Sequence, residues 1–124
     1  LTVDAPTYYF QDLKSELFEL DFKCLFVDEV QFLNREDILL LCDVADSKNI
    51  DVFCFGLRTD VLGELFEGSK HLFALADEFE HIETLCEIEG YINGERDKSE
   101  TSVAIETGDV TYKSVCRKCW RNKI

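Results

Sequence analysis

The sequence predicts an α/β domain: a short parallel sheet packed with helices, followed by a small cysteine-bearing lobe. Three observations carry that expectation. Two mainly apolar runs, KCLFV at 23–27 and IDVFCFG at 50–56, have the near-continuous hydrophobicity of strands buried on both faces. Between them, residues 35–49 place Ile38, Leu39, Leu41, Cys42 and Ala45 on one helical face. After Cys86 the periodicity stops, and a polar stretch leads to Cys116-Arg117-Lys118-Cys119 near the end. Strand, helix and strand with short links make a βαβ unit, which is nearly always right-handed.

The remaining elements follow in order. Residues 1–10 hold the only proline, Pro6, and read as an extended lead-in. Leu13, Leu17, Phe18 and Leu20 fall at helical spacing, which predicts an amphipathic helix over 12–21. Asn34 is placed to cap the central helix. Leu72, Phe73, Leu75 and Ala76 predict a further helix over 68–79, and IETLC at 82–86 reads as a third strand. Residues 87–102 are polar and without period. Residues 103–105 and 111–115 then flank a turn at Gly108 and Asp109, a hairpin-like loop before Cys116.

Composition narrows the function. With 46% hydrophobic residues the chain has enough apolar matter to fold. Its 13 basic and 26 acidic residues give a net charge of −13, which repels phosphate backbones and argues against duplex DNA or RNA as a partner. No run approaches a membrane span, and no signal-like segment opens the chain. A reducing, cytoplasmic setting is expected, with Cys24, Cys42 and Cys54 as small core residues in their apolar runs. The first residue is Leu1 rather than Met, so a fragment or processed product is expected.

Three stretches can carry chemistry. CLFVDEVQFL, 24–33, is an apolar strand that delivers Asp28 and Glu29 at its tip. Adjacent carboxylates there suit a magnesium ligand beside a general base, or simply an acidic turn. FGLRTDVLGELFEGS, 55–69, puts Leu57, Leu62, Leu65 and Phe66 in a glycine-rich loop, where they either line a pocket or complete the core. Cys116-x-x-Cys119 offers two corners of a tetrahedral zinc site, with Cys86 as a third ligand; a redox pair, or two ordinary thiols near the end of the chain, are the other readings. His71 and His81 lack a matching acid and nucleophile and read as structural or solvent-exposed, and Trp120 as a packing anchor.

Together LFVDEVQFL (25–33), FGLRTDVLGELFEGSKHLFALAD (55–77) and YKSVCRKCW (112–120) resemble the type II thymidine kinases, the cytosolic family of bacteria, phages and animals. The resemblance implies a partial P-loop-kinase-like parallel sheet with helices over 1–86, followed by a lasso and zinc-ribbon-like lobe over 87–124. It implies transfer of the γ-phosphate of ATP to the 5′-hydroxyl of thymidine, with Mg²⁺, structural Zn²⁺ and a homotetramer. Asp28, Glu29, Val30 and Gln31 would serve ATP and magnesium. Asp28 would hold the ion through water, and Glu29 would be the catalytic base. Gln31 and Phe32 would stand beside the nucleoside pocket, Leu57 and Phe66 would contact thymine, and Arg58 would approach the phosphates. The lasso would be 103–112, with Val103, Ile105, Thr107 and Tyr112 at the nucleoside.

Two departures from the family stand out. No glycine-rich phosphate loop ending in Lys-Ser or Lys-Thr occurs in the 124 residues, so no kinase turnover is expected from this chain unaided. The metal set would read Cys86, Glu89, Cys116 and Cys119, with a glutamate where the family has a cysteine. A non-catalytic nucleoside-binding relative is the alternative that the missing loop favours.

Overall fold

The structure, a computed structural model, describes residues 5–87, 101–102 and 113–122. Strands β1 (Cys24–Val27) and β2 (Asp51–Cys54) pair in parallel, with Cys24 opposite Asp51 and Val27 opposite Cys54. Their hydrogen bonding runs one residue further. Phe55 donates to the Val27 carbonyl at 2.8 Å and accepts from Val30 N–H at 3.0 Å. The connection is helix α2 (Arg35–Lys48), as the pattern predicted.

Helix α2 starts where a capping box forms. The Asn34 side chain accepts from Asp37 N–H at 2.9 Å, and the Asp37 carboxylate accepts in return from Asn34 N–H at 3.4 Å. It ends at Asn49, whose left-handed φ of 53° stops the helix and lets Ile50 N–H reach the Ala45 carbonyl at 3.2 Å. Asn34→Ala is expected to cost about 1 kcal/mol of stability, readable as a lower denaturant midpoint at unchanged slope. A shift within error would show that the cap contributes nothing.

The core lies on one side of the sheet. Ile38, Leu41 and Val44 of α2 pack with Leu17, Val27, Val30 and Leu33, and Leu25, Val52 and Cys54 close on them. Strand alternation sends Cys24, Phe26 and Phe53 to the other face. There Phe26 and Phe53 stack with ring centres 5.1 Å apart while remaining 43% and 44% exposed. This corrects one expectation: Cys24 is exposed rather than buried, because α2 covers a single face of this sheet.

Three other expectations change. The first helix is α1 (Phe10–Leu13), which tightens into a 3₁₀ turn over Lys14–Glu16. The tighter turn brings Lys14 within 3.4 Å of the buried Asp37 and sets Leu17 into the core. Residues 82–86 form no strand: Ile82 and Leu85 are exposed, and no described strand pairs with them. Helix α3 (Glu67–Leu75) ends four residues before the expected 79. It rests on the 3₁₀ turn Val30–Phe32 so closely that a Cβ on Gly68 would overlap the Val30 carbonyl oxygen.

In the cysteine lobe, β3 (Thr101–Ser102) pairs antiparallel with β4 (Lys113–Ser114), and helix α4 (Arg117–Arg121) follows. Among the described residues no helix is long and apolar enough to cross a membrane.

Candidate functional site

Beyond the last residue of β1 the chain turns sharply. Glu29 takes φ 54° and ψ 39°, a left-handed conformation uncommon for a residue with a side chain. Its N–H donates to the Asp28 carboxylate at 2.9 Å. Both acids are exposed at the carboxyl end of the parallel pair, where open α/β sheets bind ligands.

Gln31, two residues on, ties the acids to the next loop. Only 2% exposed, it donates from Nε2 to Glu29 Oε2 at 2.5 Å and accepts at Oε1 from Leu57 N–H at 3.2 Å. The Leu57 carbonyl accepts from Ser69 Oγ at 2.5 Å, so α3 holds the same loop from the other side. Phe66 N–H donates to the Arg58 carbonyl at 3.1 Å. Phe66 meets Phe32 edge-to-face, ring centres 5.7 Å apart, and Phe32 remains 62% exposed. The structure thus brings Glu29, Gln31, Phe32, Leu57 and Phe66 together. Val30 is buried in the core beneath them.

The loop of 57–66 is built, not slack. Thr59 and Leu65 form an antiparallel bridge. Inside it the Asp60 carboxylate accepts from Leu62 N–H at 2.9 Å and Glu64 N–H at 3.0 Å. Leu62 and Leu65 are exposed, so they do not complete the core; Leu57 and Phe66 are half-buried.

Three thiols gather in the lobe. Cys86, Cys116 and Cys119 are buried, and their sulfurs all lie within 4.8 Å of one another. The Cys86 and Cys119 sulfurs are 3.8 Å apart, which is about the edge of a tetrahedron with ~2.3 Å zinc–sulfur bonds. Burial, and then the neighbouring Cys116 and Cys86 thiols, push the Cys119 thiol up to about 12. The donor set fits zinc, with one corner left for a fourth ligand. Glu89, Val103, Ile105, Thr107 and Tyr112 lie outside the described residues.

Elsewhere, burial and then the charge of Cys42 push the Cys54 thiol from 9.0 to about 11. An unfolded thiol therefore ionises first as pH rises, and stability should be lost between about pH 9 and 11. Denaturant melts of the wild type and Cys54→Ala across that window test this; the same alkaline slope in both would rule Cys54 out. His71 approaches Glu67 at 4.0 Å and His81 is exposed, so neither joins the site.

Two connections were not predicted from sequence. Ser69 carries no signal beyond its place in the loop-to-helix stretch. Trp120 was expected as an anchor, but its partner was not: its indole N–H donates to the Val61 carbonyl at 2.7 Å.

Comparison with known proteins bears on the whole chain. The family model described as thymidine kinase matches residues 2–120. A thymidine kinase of Vibrio parahaemolyticus is 41% identical over 108 residues, covering 82% of this chain and 56% of that protein. One from Aliivibrio fischeri is 40% identical over 121 residues, 91% of this chain and 63% of the relative. One from Haemophilus influenzae is 38% identical over 127 aligned positions, 96% and 65% respectively. The chain therefore spans about 56–65% of the length of these relatives.

Proposed function

Because the chain belongs to the thymidine kinase family, we propose that it carries the acceptor half of a site that moves the γ-phosphate of ATP to the 5′-hydroxyl of thymidine. The observation that supports this best is the bonded path from Glu29 through Gln31 to Leu57, which couples a carboxylate to an aromatic-lined loop.

Glu29 accepts the proton of the 5′-hydroxyl as that oxygen attacks the γ-phosphorus, and the bond from phosphorus to the β,γ-bridging oxygen breaks to release ADP. Gln31 holds the Glu29 carboxylate in place by its 2.5 Å hydrogen bond. Phe66 stacks on the thymine ring, with Phe32 and Leu57 beside it and Arg58 toward the phosphates. Asp28, an exposed hard-oxygen donor, would hold Mg²⁺, which neutralises phosphate charge when bound. Cys86, Cys116 and Cys119 would hold Zn²⁺ as a structural cross-link, with Glu89 as fourth ligand. Val103, Ile105, Thr107 and Tyr112 would grip the base from the lasso. The division falls at residue 86: the first part carries the chemistry and 87–124 the grip.

The 124 residues contain no phosphate loop, so donor binding needs groups they do not supply. The second reading is a nucleoside-binding relative without chemistry. Calorimetry with thymidine, alongside phosphate transfer from labelled ATP, separates them. The chain should bind thymidine and transfer nothing alone, whereas a protein of the relatives' full length carrying these residues should transfer phosphate. Binding with no transfer at full length would select the second reading, and no thymidine binding at all would sink both.

A further inference from the structure

The single tryptophan sits one residue after a thiol of the cysteine cluster, and it leaves that cluster to reach the other half of the molecule. Trp120 N–H donates to the Cys116 carbonyl at 2.9 Å, so its backbone is fixed to the turn that holds Cys116 and Cys119. Among the described residues, Trp120 is the partly buried apolar side chain packed against that cluster. Its ring then does two things at the 57–66 loop. The indole Nε1 donates to the Val61 carbonyl at 2.7 Å, and the ring edge fills the space above Gly63. A Cβ there would come 2.7 Å from Trp120 Cη2, and Gly63 holds φ 79°, so glycine is needed for both space and conformation.

The loop can transmit what the ring does. The Thr59–Leu65 bridge and the Asp60 carboxylate lock its tip into one self-bonded unit. At the base of that unit Phe66 N–H bonds Arg58, and Leu57 N–H bonds Gln31, which in turn holds Glu29. Contacts therefore run without a gap from the thiols to the acid pair.

We propose that Trp120 is a positioning residue: it latches the cysteine lobe onto the 57–66 loop, so that zinc held by Cys86, Cys116 and Cys119 tightens the loop that faces the base. The link to the base rests on the nucleoside reading given above; the latch itself does not. Without metal, α4 (five residues) has little to hold it, since so short a helix is marginal by itself. Zinc fixes the α4 turn, the turn fixes the indole, and the indole fixes Val61 and Gly63. By linkage, a ligand seated on the loop should in turn favour the zinc-bound lobe.

The test uses the 124-residue chain, zinc-free and zinc-loaded, as wild type and as Trp120→Phe, which keeps an aromatic ring but loses the N–H donor. Zinc uptake is measured first, then hydrogen exchange at Leu62, Gly63, Glu64 and Phe66, then thymidine affinity. In the wild type, zinc should shift Trp120 emission and slow exchange in the loop by about tenfold, the scale of one net hydrogen bond. Trp120→Phe should take up zinc but lose the loop response, and its thymidine affinity should fall by about fivefold or more. A wild-type loop indifferent to zinc overturns the latch, as does a zinc response retained in Trp120→Phe. A variant that cannot take up zinc would place Trp120 in the lobe's own core and overturn it too. Thymidine affinity equal in both proteins would show that the latch does not reach the base. Loop protection that follows zinc in the wild type but not the variant, with no thymidine binding in either, would uphold the latch and reject the nucleoside reading alone.

Discussion

Replacing Glu29 by Gln, in a protein of the relatives' full length, is expected to lower kcat by about 10²–10⁴-fold, the usual range for loss of a general base. Thymidine affinity should change by less than about twofold, because an interaction made only in the transition state is being removed. The local geometry favours so clean a result. Glu29 accepts a hydrogen bond from Gln31 Nε2 through one carboxylate oxygen. A glutamine keeps a carbonyl oxygen for that bond but loses the negative charge and the capacity to take a proton. Steady-state kinetics with thymidine as variable substrate supply both numbers. Undiminished kcat would remove Glu29 as the base, and a large rise in KM with kcat intact would make it a binding group.

Cys116→Ser should have the second large effect. Losing even an outer partner of a metal ligand commonly costs 10–100-fold in affinity, so losing one of three buried cysteine ligands should weaken zinc uptake by more than about 100-fold. The consequence should spare the βαβ core. Cleavage by trypsin after Arg117 and Lys118 should accelerate, while exchange in α2 stays slow, because the Ile38–Leu41–Val44 core shares no residue with the cysteine cluster. Cys24→Ser, on an exposed thiol, is the control and should change neither. Equal zinc affinity in wild type and Cys116→Ser would place the metal elsewhere.

The central βαβ unit was legible because each of its signals is local. Asn34 and Asp37 cap a helix three residues apart, and the 3.6-residue pattern carries α2 to Asn49. What failed depends on neighbours the pattern cannot name. KCLFV reads as buried on both faces, yet α2 covers one, leaving Cys24 and Phe26 outward. IETLC has a strand's composition, but a strand needs a hydrogen-bonding partner, and no described strand supplies one. At the site, the acid pair and the loop residues were each identifiable by type and order. Their connection was not. It passes through Gln31, whose reach to Leu57 crosses 26 positions and depends on the sharp turn at Glu29. The bond from Trp120 to Val61 spans 59, beyond any periodicity argument.

The left-handed backbone of Glu29 sets selection for durability against selection for chemistry. A side chain held in that region costs about 1–2 kcal/mol, which glycine avoids and asparagine partly avoids. Screened for thermal survival alone, a library at position 29 should therefore enrich Gly and Asn and discard the carboxylate. Built into a protein of the relatives' full length and screened for growth that depends on salvaged thymidine, the same library should return Glu. The fold tolerates this exposed acid at a cost, so the amino acid found at 29 in any variant reports which of the two demands that variant has met.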